Sequence, residues 1–394
     1  MIDPKEFDAI RPYNNDEIPG VVDSLLHDRL MNAQLKTLLP WLPQWLRNGV
    51  LRLAFIGVHS TLDFQLRFMK PVVKYVLRKC SNGVTFEHTN ITAGEERYTF
   101  MSNHRDIVLD SAILDYMLYK HKFPTTCEIA IGDNLLIYPW IEKVVKLNKA
   151  FTVRRGLSSK DLLKSSMLMS QYIHYAVNQK RENIWIAQRE GRAKDSDDRT
   201  QESVLKMLAM GGELRELNIV PLTISYEYDP CDYLKAQEFQ QKRDDPSFKK
   251  SRQDDLDNMK TGIFGYKGRV RYTCAAPINT WIDELSDLPK TEWFKVLAER
   301  MDNEIYRGYT LYPCNYIALD DLEGTNTHVD HYTKSDQERF EKYLAGQLAK
   351  IQLPNKDEAF LRERMLTMYA NPLRNYLNAT THSDQESEKV TSEK

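Results

Sequence analysis

The sequence has no CxxC pair, no long apolar run and no strong excess of either charge. Its five cysteines, Cys80, Cys127, Cys231, Cys274 and Cys314, are odd in number and widely spaced, which argues against a disulfide framework or a zinc ribbon. That usage fits a reducing, cytoplasmic compartment. No stretch approaches the roughly 18 uninterrupted apolar residues of a spanning helix. The most apolar segment, LRLAFIGV, is short and carries Arg52. The opening MIDPKEFDAI lacks the charged-then-apolar pattern of a secretion signal. Glycine and proline, 16 each in 394 residues, are too sparse for a collagen-like or low-complexity chain. Lys and Arg number 54 against 56 Asp and Glu, so the net charge of −2 gives no bias toward nucleic acid. What is left is a globular balance, 42% apolar and 28% charged, with length for two or three domains or one large domain with additions.

Charge is distributed unevenly. Residues 41–80 hold seven basic residues (Arg47, Arg52, Arg67, Lys70, Lys74, Arg78, Lys79) against one acid, Asp63, a local charge of +6. Trp41, Trp45, Phe55, Phe64 and Phe68 are interleaved with them, and apolar residues recur at helical spacing. Such a basic amphipathic segment suits an anionic membrane surface. It equally suits a helical bundle that packs the apolar face inside and leaves a basic rim.

After residue 85, β-like and helix-like runs alternate. Strands are expected at Tyr98–Ser102, Cys127–Ile131, Ala150–Arg154, Ile184–Gln188, Ile219–Tyr226 and Arg269–Ala275. Helices are expected at Asp110–Lys120, Ile137–Lys146, Ser159–Gln179, Gln201–Met210, Tyr233–Gln241 and Thr291–Arg307. Ser158 or Ser159 suits the N-cap of the long helix, with Asp161 in its first turn. The pattern predicts an α/β fold, a mixed central sheet with helices on both faces. A helical region (1–85) precedes the α/β domain (86–310). A C-terminal helical extension (311–380) and a polar, disordered tail (381–394) follow. Residues 242–260 read as a charged surface excursion, and 334–375 as one or two amphipathic helices. Pro221 suggests an edge position or a strand start for its strand.

Residues able to do chemistry fall at strand ends, where ligands sit in open α/β sheets. In SNHRDIVLD, His104 is the side chain best suited to take a proton near neutral pH. Asp106 and Asp110 are both candidates to orient it. On a continuous helix His104 and Asp110 would lie about 240° apart, so a dyad between them needs a turn before the helix begins. Otherwise Asp106 is an N-cap and His104 a loop residue. In FTVRRG, Arg154 and Arg155 precede a helix and suit a phosphate, or else a salt-bridged strand end. In AQREGRAK, Glu190 can accept from hydroxyls, Gly191 admits close backbone approach, and Arg192 can bind phosphate, with Lys194 two residues on. No GxSxG is present. His328 and His331 in HVDH have ligand-like spacing, but no further ligand cluster accompanies them, so no metal is expected.

In this order the clusters resemble the glycerolipid acyltransferases, the superfamily of glycerol-3-phosphate, dihydroxyacetone-phosphate and lysophosphatidate acyltransferases. Asn103-His104 resembles its first motif, usually His-x4-Asp. Phe151-Thr-Val-Arg154-Arg155 resembles the second, Glu190-Gly191-Arg192 the third (Glu-Gly-x-Arg-Ser), and Ile219-Val220-Pro221 the fourth. Ile131-Gly-Asp-Asn134-Leu is similar to an Asn-Leu segment between the first two. The resemblance spans about residues 95–280. Here the Asp follows the His by six positions rather than five, and the third motif is one residue short. The apolar SAIL after Asp110 resembles the family's helix start and favours Asp110 over Asp106.

The resemblance implies direct acyl transfer from acyl-CoA or acyl-carrier protein, as a substrate rather than a cofactor, to a hydroxyl of glycerol-3-phosphate or 1-acylglycerol-3-phosphate. His104 would be the general base and Asp110 its orienting group. Arg105, Arg154, Arg155, Glu190, Gly191, Arg192 and Lys194 would hold the acceptor, and a helix N-terminus near residue 106 would help the oxyanion. The enzyme would be peripheral on the cytoplasmic membrane face, with no nucleic-acid partner. Other classes fit part of the pattern: an acyltransferase for a phosphate-free hydroxy-acyl lipid, a noncatalytic lipid- or carrier-binding module, and a thioester hydrolase.

Overall fold

The computed structural model describes residues 3–31, 33, 49, 55–136 and 138–392. Seven strands form one mixed sheet in the order β1-β7-β6-β2-β5-β3-β4. They are β1 Val84–Glu87, β2 Thr99–Ser102, β3 Cys127–Gly132, β4 Ala150–Val153, β5 Asn183–Ala187, β6 Ile219–Tyr226 and β7 Val270–Cys274. β2 runs parallel to both β5 and β6, and β3 runs parallel to β5 and β4. β7 is antiparallel to β6, and β1 pairs parallel with β7. The carboxyl ends of β2, β3, β4, β5 and β6 therefore share one edge of the sheet.

The helices are α1 Ile18–Leu26, α2 Lys70–Cys80, α3 Leu109–Lys120, α4 Pro139–Leu147, α5 Ser159–Asn178, α6 Glu202–Leu208, α7 Asp232–Asp244, α8 Arg252–Phe264, α9 Lys290–Arg307, α10 Pro313–Glu323, α11 Lys334–Leu348 and α12 Glu358–Ser392. α2 and α3 cover one face of the sheet, packing Val73, Val76, Ile113, Leu114 and Met117 with Phe100, Trp185 and Val220. α5, α6 and α9 cover the other, packing Tyr172, Ile173, Leu205 and Leu297 with Met101, Ile184 and Ile186. Alternate residues of β2 and β5 thus serve opposite cores, as two-sided burial of parallel strands requires. α10, α11 and α12 form a third core around Tyr312, Ile317, Phe340 and Leu361. A smaller cluster joins Ile18, Leu25, Phe55, Phe64 and Leu147.

Four sequence expectations change. β6 is an interior strand, not an edge. Pro221 sits before the β6–β7 register begins at Leu222↔Cys274, and its carbonyl accepts the Ala275 N–H at 2.9 Å. Proline has no N–H to return that bond, so the β6–β7 ladder stops there. The charged stretch 242–260 is not an excursion. It holds the end of α7 and most of α8, which opens on a capping box between Ser251 and Asp254. β1, a four-residue edge strand with a single buried residue, Phe86, carries too little apolar signal to be expected. The polar tail continues α12 as far as Ser392; the stretch 381–392 has no Gly or Pro to stop a helix. Trp41, Trp45, Arg47 and Arg52 of the basic aromatic segment lie outside the described residues. No described helix is long and apolar enough to cross a membrane.

Candidate active site

β2 ends in the centre of the sheet, and its exit is pinned by Asn103. That side chain donates to the Ile224 carbonyl at 3.0 Å and accepts the Ile224 N–H at 2.8 Å, extending the β2–β6 ladder one step past the strand. Ser102 accepts the Trp185 indole N–H at 3.1 Å. His104 follows, with its ring 5.5 Å from the Trp185 ring in an edge-on arrangement. Its side chain is 14% exposed.

His104 Nδ1 lies 2.8 Å from Asp110 Oδ2. The same carboxylate oxygen accepts the backbone N–H of Arg105 at 2.6 Å and of Asp106 at 3.0 Å. Asp110 Oδ1 accepts the Tyr226 hydroxyl at 3.2 Å, and Tyr272 donates to the Asp110 carbonyl at 2.9 Å. A carboxylate only accepts, so Nδ1 carries the proton and Nε2 is left with its lone pair. Asp106 does not partner His104. Its Oδ1 accepts the N–H groups of Val108 and Leu109 at 2.9 and 2.8 Å and starts α3. Burial, and then Asp110, push the Asp106 carboxyl above the ordinary range. The two carboxylates consume the N–H groups of residues 105, 106, 108 and 109. The helix start is therefore largely spent on Asp side chains, and only the Ile107 N–H of this run goes to neither.

An acyltransferase family model matches residues 83–225. Over those residues the chain is similar to the acyltransferase family. No curated protein matches the sequence. The crystal structure of a 1-acyl-sn-glycerophosphate acyltransferase, PlsC, from Thermotoga maritima is similar at 12% identity, with a TM-score of 0.39, over 73% of this chain and 95% of that one.

Within the matched residues, the second and third clusters meet across β3. Arg155 Nη1 pairs with Glu190 Oε1 at 3.1 Å, and the Arg155 N–H donates to Asp133 Oδ1 at 3.2 Å. Gly132 makes room for this guanidinium; a Cβ there would stand 2.7 Å from Arg155 Nε. Arg154 is exposed. Gly191, at φ +68°, turns the chain so that Glu190 stays outside while the following residues enter the protein.

The remaining cations point inward. Arg105 is buried, with Nη1 3.9 Å from Asp198 Oδ2, and neither atom makes a hydrogen bond. Arg192 Nη2 donates to Asn258 Oδ1 of α8 at 3.1 Å, while its buried Nη1 is unbonded. Lys194 pairs with Glu238 at 2.7 Å. Burial lowers that ammonium's pKa, against the pull of Glu238. Asp229, at the exit of β6, pairs with buried Lys235 at 2.5 Å. Burial alone would raise the Asp229 carboxyl, but Lys235 and Arg105 hold it below its ordinary value. α8 closes this region: Gly262 lies so close to Asp106 that a Cβ would stand 2.3 Å from its Oδ2.

Arg105 is thus buried, Arg192 and Lys194 are half-buried and turned toward protein partners, and His104, Arg154, Arg155 and Glu190 lie along the strand-end edge. Sequence reading missed Asp198, Asp229, Lys235 and Asn258. Asp229 follows its strand just as His104 follows β2, so the strand-end rule reaches it. Asp198 and Asn258 carry no comparable signal. A cavity of about 460 Å³ lies elsewhere, between α8 and α11, lined by Thr261, Tyr266, Lys342 and Tyr343. His328 and His331 flank Tyr316, with His331 stacked on it at 4.3 Å.

Proposed function

We propose that this enzyme transfers a fatty acyl group from the thioester of acyl-CoA or acyl-carrier protein to a hydroxyl of glycerol-3-phosphate or 1-acylglycerol-3-phosphate. The single observation that carries the mechanism is the 2.8 Å bond between His104 and Asp110 at the exit of β2. His104 Nε2 takes the acceptor's hydroxyl proton as its oxygen attacks the thioester carbonyl. An O–C bond forms. The tetrahedral carbon then collapses, the C–S bond breaks, and the thiolate recovers the proton from the imidazolium. Asp110 holds the ring and stabilises its cationic form; it does not itself take the proton. Arg154 and Arg155 face the acceptor's phosphate, and Glu190 a glycerol hydroxyl. The Ile107 N–H is the donor left for the oxyanion in this turn. Written this way the step uses no metal or further cofactor. Much of the acceleration comes from holding two reactants together.

The closed His–Asp pair favours an enzyme over a noncatalytic lipid- or carrier-binding module, which has no use for an oriented imidazole. A lipid acceptor places the enzyme peripherally on a membrane, and a reducing compartment places it on the cytoplasmic face. The exposed Lys74, Tyr75, Arg78 and Lys79 of α2 are suited to that surface. The test is an acceptor screen at fixed acyl donor, with products identified by mass. Acylated glycerol phosphate is expected. Free fatty acid released without any acceptor would instead identify a hydrolase.

A further inference from the structure

The amino-terminal end of α5 stands out from the protein. Burial on this helix begins only at Ser170, with Tyr172, Ile173, His174, Ala176 and Val177 following. Every residue from Ser159 to Lys164 is exposed. Among them Leu162 is 51% and Leu163 63% exposed, and Met167, one turn on, is 37% exposed. None of the three belongs to an apolar core. At about 1.5 Å per residue, the continuously exposed stretch 159–164 is roughly 9 Å long.

The charges around this tip are of one sign. Lys160, Lys164 and Arg154 are exposed and form no ion pair among the described residues. The acid in the tip, Asp161, is taken by the N-cap: Ser158 Oγ donates to it at 2.6 Å and accepts its N–H at 3.3 Å. Lys160, Leu163, Lys164 and Met167 recur at helical spacing along one stripe, with Leu162 beside it. The tip follows Arg155-Gly156-Leu157 directly from the end of β4, so it rises from the same sheet edge that carries His104.

We propose that this tip inserts into an anionic lipid bilayer and docks the sheet edge against the membrane. The proposal rests on the lipid-acceptor reading above and adds the surface that meets the lipid. A bilayer is favoured over a protein partner by shape and charge together. A specific protein interface buries about 800 Å² per partner, more than one projecting helix end presents. A bilayer accepts a small apolar wedge about 5–10 Å deep, with cations beside it to meet the headgroups.

The test is co-sedimentation of the full chain with vesicles of phosphatidylglycerol and phosphatidylcholine. L162E/L163E should lower the partition coefficient at least tenfold, and turnover of a dispersed short-chain acyl donor with glycerol-3-phosphate should be unchanged. As a second readout on the folded protein, the indole introduced by Leu163→Trp should shift its emission to the blue when vesicles are added. Unchanged vesicle binding of L162E/L163E, or no spectral shift in Leu163→Trp, overturns the proposal. So does loss of acyl-carrier-protein binding with vesicle binding intact. Lost turnover with the dispersed substrate would place the leucines in the substrate path and also overturn it. Because sedimentation needs no turnover, failure of the acyl-transfer reading is seen separately.

Discussion

His104 Nδ1 and Asp110 Oδ2 meet at 2.8 Å although six positions separate the two residues. The contact exists because residues 105–108 form a turn rather than a helical one and because Asp110 sits in the first turn of α3. The carboxylate closes that turn by accepting the N–H groups of Arg105 and Asp106. The extra residue relative to the His-x4-Asp pattern is absorbed there. The same atoms that orient the imidazole also build the backbone under it.

Removing either member should therefore separate chemistry from folding. His104→Ala should lower kcat by about 10²–10⁴-fold, the usual worth of a positioned acid–base group. Its thermal unfolding should change little, because the ring is partly exposed. Asp110→Asn should lower kcat by at least about 10²-fold. It should also destabilise the protein by roughly 1–3 kcal/mol, since a buried acceptor of several bonds is weakened. Steady-state kinetics with denaturant titration checks both. Wild-type turnover in His104→Ala would refute the base assignment.

The two arginines at the end of β4 should report on the acceptor. Arg154 is exposed and unpaired among the described residues, whereas Arg155 is held by Glu190 at 3.1 Å. Arg154→Ala and Arg155→Ala should each raise KM for a phosphate-bearing acceptor by on the order of tenfold or more, the worth of a charge-assisted hydrogen bond. KM for the acyl donor should move less. An unchanged acceptor KM in both variants would favour a phosphate-free hydroxy-acyl lipid.

The strands were legible because each interior strand is an apolar run ending in a polar cluster. That same feature exposed His104, Arg155 and Glu190. Burial was not legible. Arg105 and Arg192 look in sequence like any strand-end cations, and only the fold shows that α8 and the turn around Asp198 cover them. α8 was hidden by its own charge, since Asp254, Asp255 and Lys260 mask a helix whose working residues are Asn258 and Gly262. Its capping box, Ser251 with Asp254, was the available signal.

Gly262 gives α8 its close approach to Asp106, and Gly262→Ala should show it. A methyl there would stand 2.3 Å from Asp106 Oδ2, and Asp106 is held in place by its bonds to Val108 and Leu109. Neither side can yield cheaply. Gly262→Ala should destabilise by about 1–3 kcal/mol, the cost of overpacking, and should lower turnover, since the displaced turn carries His104. Asp106→Ala alone should cost about 1 kcal/mol through the lost cap. In the double variant the clash is gone, so the two losses should sum to less than their separate values. Strict additivity by denaturant titration would argue against the contact.

The pH dependence of stability has a sign set by three buried carboxyls. Burial raises Asp115, Asp232 and Asp302 from 3.8 to about 7 each. A raised folded-state value means the fold favours the neutral form. Their contribution to stability is then fully present below the unfolded value and is lost as pH rises through about 7. Glu238 runs the other way. Lys194, Lys242 and Lys250 overcome its burial and hold it at about 2, so its contribution is present above the unfolded value and lost as pH falls through the folded one. Between pH 5 and pH 8 only the three raised groups act among these four, and unfolding free energy from urea titrations should fall across that interval. Asp302→Asn removes one titration while an amide oxygen can still accept from Thr200, whose N–H and hydroxyl now bond Asp302 Oδ1 at 2.7 and 2.6 Å. The variant should show a shallower decline than wild type and hold its stability better at pH 8. An identical decline in the two proteins would mean that Asp302 is already ionised in the fold.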